Sequence, residues 1–158
     1  MTLQPVYFSV NDGSIAKFAR KARKPNDCVI NALLLVERID PYHAELLRIA
    51  VGDTGLCGHQ IEELFDFLDP KWKYTFKSHS LNQVDIAHRI IKSVPESTLL
   101  FMGLRWKTTN QLHVFVMGRT RDGTLIIIDP QLAQPFQNVE EYLKQASELF
   151  ILMKRPKS

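Results

Sequence analysis

The sequence predicts an α+β fold, with a helical N-terminal half packed on a C-terminal antiparallel sheet. Three observations predict it. Residues 28–37 are apolar on almost every side, the mark of a helix buried within a domain rather than lying on its surface. Residues 98–106, 111–118 and 124–129 are three consecutive strand candidates. The last two are joined by Arg121-Asp122-Gly123, in which Asp-Gly is a strong hairpin signal. Helices first, then a run of antiparallel strands, is the α+β order.

Taken from the start, residues 6–10 alternate as a short strand, and Asn11-Asp12-Gly13 is a turn signal. Ser14 can cap a basic helix that runs toward Arg23 and is ended by Pro25. Asn26 and Asp27 are both good N-cap residues, so the buried helix starts there and Cys28 sits in its first turn. Helices follow at about 41–50 and 58–68, separated by the loop Gly52-Asp53-Thr54-Gly55. Residues 72–76 read as a strand and residues 81–93 as an amphipathic helix ended near Pro95. After the three strands, a helix at about 139–146 and a strand at 149–153 close the chain.

A length of 158 residues fits a single domain, 1–158, and suffices to bury a core without staples. Hydrophobic residues at 45% and charged residues at 23% are ordinary for a soluble globular protein. No repeat or low-complexity tract is present. The first ten residues lack the basic and apolar regions of a signal peptide, and the apolar runs are too short to cross a bilayer. A cytoplasmic setting with no membrane partner is therefore expected, with two free thiols rather than a bridge between Cys28 and Cys57. The formal charge of +3 is mild and concentrated in Lys17, Arg20, Lys21, Arg23 and Lys24. Such a run reads first as a solvated helix face, and second as a contact for an acidic partner. Nucleic acid is not the expected partner.

A thiol hydrolase needs a thiolate, a base, a group that orients the base, and donors for an oxyanion. Cys28 at a helix N-terminus feels the positive end of the helix dipole, which lowers a thiol pKa and leaves backbone N–H groups to bind an oxyanion. His113 opens the strand His113-Val-Phe-Val-Met, and Asp129 ends the next one after Ile126-Ile-Ile. Counting outward from a turn near Arg121 gives eight residues on each side, so the hairpin register itself brings His113 beside Asp129.

Cys at a buried helix start, His at a strand start and Asp one hairpin later is an order that resembles papain-like cysteine peptidases. Asn26-Asp27-Cys28-Val-Ile-Asn31 looks like the nucleophile segment of compact members, among them bacteriocin-processing peptidases and ovarian-tumour and Josephin-type deubiquitinases. Ile-Ile-Asp129-Pro130-Gln131 is similar to the papain-like toxin and effector branch. The resemblance implies a papain-like fold and a Cys28-His113-Asp129 triad. It implies no cofactor or metal, and a protein substrate, ubiquitin-like conjugates included. It implies cleavage of a peptide or isopeptide bond, with glutamine deamidation as the alternative. A non-enzymatic binding module on the same fold is the third reading. Papain carries an oxyanion glutamine where this chain has Ala22. Two roles are then open to Asn26: oxyanion donor together with the Cys28 N–H, or helix cap.

The remaining candidates are weaker. Cys57 and His59 have a Cys-x-His spacing but no second pair to complete a zinc site. Trp106, just before the polar stretch Lys107-Thr-Thr-Asn-Gln111, reads as a residue flanking substrate or as strand-end packing, and Gln131 as a substrate contact. His43, His79 and His88 read as surface residues.

Overall fold

Seven strands form one sheet in the computed structural model, which describes residues 2–9, 32, 42–44, 46, 58–80, 84–129 and 138–157. The strands are β1 (Gln4–Pro5), β2 (Tyr7–Ser9), β3 (Trp72–Ser80), β4 (Thr98–Trp106), β5 (Leu112–Arg119), β6 (Leu125–Ile128) and β7 (Ala146–Pro156). Helices α1 (Gly58–Leu68), α2 (Val84–Lys92) and α3 (Val139–Leu143) are interspersed among them. The sheet runs β1-β7-β4-β5-β6, with β2 joined to β4 and β3 to β7. Every named strand pair is antiparallel. The α+β expectation therefore holds. The predicted helix at 14–23, with its basic residues, lies outside the described residues, as do Asn26, Cys28, Cys57 and Gln131. Ala32 of the predicted 28–37 helix is helical and fully buried.

The central strands are apolar at almost every position because the sheet is covered on both faces. Leu99 and Phe101 of β4, Val114 and Val116 of β5, and Ile126 and Ile128 of β6 face one way. They pack with Ala32 and with Ile61 and Phe65 of α1. Leu100, Met102 and Leu104 alternate with them onto the other face, beside Phe115, Met117 and Ile127. There Ile91 of α2 and Tyr142 of α3 close the layer. Gly103 sits at the centre of β4 under the Phe76 ring, which would lie 2.8 Å from an added Cβ. Only glycine fits under that ring.

The sequence marks α1 as a surface helix through Glu62, Glu63 and Asp66, but two of these carboxylates have a structural task. Glu62 Oε2 accepts the Phe76 backbone N–H at 2.8 Å, and Asp66 Oδ1 accepts that of Tyr74 at 2.8 Å. They satisfy donors on the side of β3 away from β7, where a bare strand edge would otherwise invite pairing with another chain.

Several boundaries move relative to the sequence expectation. β3 continues to Ser80 because β7 pairs with all nine of its residues, Trp72↔Pro156 through Ser80↔Glu148. The polar run Lys77-Ser78-His79-Ser80 conceals this in the sequence. His79 is consequently buried, 4% exposed and opposite Leu149, and is not the surface residue expected. His43 and His88 are exposed. α3 is shorter than expected, ending at Leu143, and β7 starts three residues earlier than the predicted strand, at Ala146.

Two outcomes follow from this architecture. Gly123 closes the β5–β6 loop at φ 90°, so Gly123→Ala is expected to cost about 1–2 kcal/mol of stability, read from urea unfolding. Burial holds the His79 imidazole below its ordinary pKa, opposed by the Lys77 carbonyl and aided by the Lys77 charge. The unfolded chain therefore binds a proton that the folded chain refuses. Stability should fall as pH drops through the ordinary histidine range and level off below the folded value. His79→Leu should reduce the difference in unfolding free energy between about pH 8 and about pH 5; an unchanged difference would exonerate His79.

Candidate functional site

The hairpin of β5 and β6 brings the two predicted strand-end residues together, by a register different from the expected one. The loop Arg121-Asp122-Gly123 contains three residues and ends in the left-handed glycine, so the hairpin is centred on Asp122. Pairing runs from Arg119↔Leu125 to Val116↔Ile128. One further step sets Asp129 opposite Phe115 and leaves His113 as its diagonal neighbour. Because side chains alternate, residues 113, 115, 127 and 129 share a face, and a diagonal gap of about 7–8 Å between backbones is within reach of an imidazole and a carboxylate. The gap is closed. His113 Nε2 lies 2.8 Å from Asp129 Oδ2.

Both side chains are sunk below the surface, at 12% exposure for His113 and 6% for Asp129. A second donor completes the arrangement: the Tyr142 hydroxyl donates to the same Asp129 Oδ2 at 2.6 Å. The sequence reading missed Tyr142. The available signal is the spacing of Val139, Tyr142 and Leu143, an apolar stripe at helical period, in which a buried tyrosine requires a partner for its hydroxyl. Nothing in that spacing says that the partner is Asp129. The short helix α3 is held by its cap: the Asn138 side chain accepts the Glu141 N–H at 3.2 Å and donates back to the Glu141 carboxylate at 3.0 Å.

Trp106 forms the wall of the site. Its ring stacks on His113 with centroids 5.4 Å apart and planes at 27°, and it meets Tyr142 edge-on at 5.8 Å. Phe115 meets the other side of the Tyr142 ring at 5.2 Å. A register irregularity places Trp106 there. Arg105 pairs with Glu148 and Trp106 with Ala146, so β7 skips Ser147 and bulges beside the site. The polar turn after Trp106 is tight: Asn110 N–H donates to Trp106 O at 2.9 Å, and Arg105 reaches Asn110 O while paired to Glu148 at 3.0 Å.

The chemistry open to this group is set by the carboxylate, which only accepts. His113 must present N–H at Nε2, and that fixes the ring tautomer so that Nδ1 is the basic nitrogen. Charge that develops on the imidazole is met by a carboxylate already stripped of water. A histidine so held is an oriented proton acceptor and donor.

No family model matches the sequence. No curated protein matches it. Among solved structures, the chain is similar to the Pseudomonas avirulence protein AvrPphB, at a TM-score of 0.41 and 10% identity, over 96% of this chain and 97% of that one. Of the rival pair, His59 is 78% exposed and paired with Glu63 at 3.0 Å. Among the described residues, no group of three or more His, Cys, Asp or Glu stands together in a way that could hold a metal ion.

Removal of the carboxylate strands two buried donors. Asp129→Ala should remain folded but lose about 2–4 kcal/mol of unfolding free energy, while Asp129→Asn, which keeps an acceptor oxygen, should lose less. Equal losses would mean that the hydrogen bonds to Oδ2 contribute nothing.

Proposed function

We propose that this chain is a papain-like thiol hydrolase acting on an amide bond of a protein substrate, with Cys28 as nucleophile and His113 as its base, oriented by Asp129. The observation that carries the reading is the contact of His113 Nε2 with the buried Asp129 carboxylate, which orients the imidazole and makes Nδ1 its basic nitrogen. Two further features support it. Ala32, four residues after Cys28 in the sequence, is buried in the same cluster as Val114, the neighbour of His113. Trp106 excludes water from one face of the imidazole, which strengthens its pairing with Asp129.

In this reading the Cys28 thiol gives its proton to His113 Nδ1. The thiolate adds to the carbonyl carbon, and the Cys28 backbone N–H, with the Asn26 amide as the proposed second donor, receives the oxyanion. Collapse of the tetrahedral adduct breaks the C–N bond as imidazolium protonates the leaving amine. Water, deprotonated by Nδ1, then attacks the thioester, releases the acid and restores the thiol. Asp129 stays ionised throughout and stabilises the imidazolium. The preferred substrate is a peptide or isopeptide bond, with Gln131 and Trp106 as the proposed substrate contacts.

The test is the pH dependence of Cys28 alkylation by iodoacetamide in a Cys57→Ser background. Fast reaction well below the ordinary thiol pKa of about 8.5, lost in His113→Ala, is the expected result. A thiol titrating near the ordinary value would overturn the dyad. With a substrate in hand, Cys28→Ala and His113→Ala should abolish turnover. Mass spectrometry then names the bond: two fragments for peptide cleavage, or a gain of about one dalton for deamidation.

A further inference from the structure

Asp129 Oδ2 serves two donors at once, and only one of them belongs to the proposed triad. Tyr142 approaches from α3, and its hydroxyl stands 2.6 Å from the oxygen that His113 Nε2 meets at 2.8 Å. We infer that Tyr142 is a positioning residue: its hydroxyl keeps Asp129 ionised at depth and limits how strongly that carboxylate holds a proton on His113.

The reasoning is electrostatic. Two donors on one oxygen share the same electron density, so each weakens the other's hold. With the hydroxyl present, the negative potential that Asp129 projects onto the imidazole is reduced, and the imidazolium is less favoured. Without it, the carboxylate turns its full charge on Nε2–H, and His113 binds its proton more tightly. For a base that must accept a proton from a thiol and then return it to an amine, excess affinity is as harmful as too little. Tyr142 is built to stay in place. Its ring is 4% exposed and wedged edge-on between Trp106 and Phe115, so the hydroxyl has one direction in which to point.

The neighbouring groups of β4 and β7 are neutral or already paired. β4 presents the neutral Trp106 to the imidazole and Leu104 opposite it in register, and the Arg105 guanidinium is held by Glu148 of β7. Asp129 from the end of β6 and Tyr142 from α3 are the ionisable groups seen in this chain of contacts. The catalytic consequence rests on the thiol-hydrolase reading; the effect on His113 does not.

Tyr142→Phe tests this with the ring packing retained. The His113 ring carbon and proton signals of the free, full-length protein would be followed by NMR from about pH 4 to about pH 9. Tyr142→Phe should raise the His113 midpoint by about half a pH unit to one unit. In an Asp129→Asn background the same change should move it by far less, because the hydroxyl acts through the carboxylate. A midpoint that stays put or falls in Tyr142→Phe overturns the inference, as does an equal rise in the Asp129→Asn background. Loss of packing alone lowers the melting temperature without moving the titration. The titration needs no substrate and no thiol, so turnover that survives Cys28→Ala would sink the hydrolase reading and leave this result standing.

Discussion

Asp129 is buried, and an ionised carboxylate at that depth is costly unless donors replace the water it has lost. Much of the C-terminal half is arranged to supply them. The three-residue hairpin loop sets the register that puts His113 on the same face, one diagonal away. The capped helix α3 delivers the Tyr142 hydroxyl, and the bulge opposite Trp106 aims an indole over the imidazole. These three elements come from different stretches of chain and converge on the carboxylate.

The sheet makes such depth possible because it is covered on both faces. Isolated hairpins expose both sides and cannot bury a polar group. Here the α1 layer and the α2–α3 layer exclude water from opposite sides of β4 and β5. The His113 ring belongs to the α3 layer, whereas its neighbour Val114 points into the layer that also contains Ala32. A residue at the end of a strand is the one place where a side chain from one face can work beside an element packed on the other. A candidate site at the strand end, rather than mid-sheet, follows from that geometry.

Charged side chains in this protein divide by depth into two kinds. Glu62 and Asp66 bind strand amides at the sheet margin, where water still helps to solvate them and the gain is a satisfied backbone. Asp129 lies where water does not reach, so its hydrogen bonds carry the whole burden of stabilising its charge. The same residue type thus acts as edge protection in one place and as an orienting charge in the other.

The α+β class, the central strands and the hairpin were legible in the sequence because apolar runs and an Asp-Gly turn are local signals. The proximity of His113 and Asp129 was legible as well, since an antiparallel hairpin converts distance along the chain into distance in space. The register was off by one diagonal step, because a turn centred on Arg121 and one centred on Asp122 keep the same side chains on the same face and leave the same trace in composition. Tyr142, the burial of His79 and the full length of β3 were decided only by the tertiary structure. Each depends on which distant strand or helix lies alongside: β7 extends β3 past a polar run, and α3 folds back so that a tyrosine on an ordinary apolar stripe finds a carboxylate. Local chemistry names the residues that can take part, and only the packing of remote segments determines which of them meet.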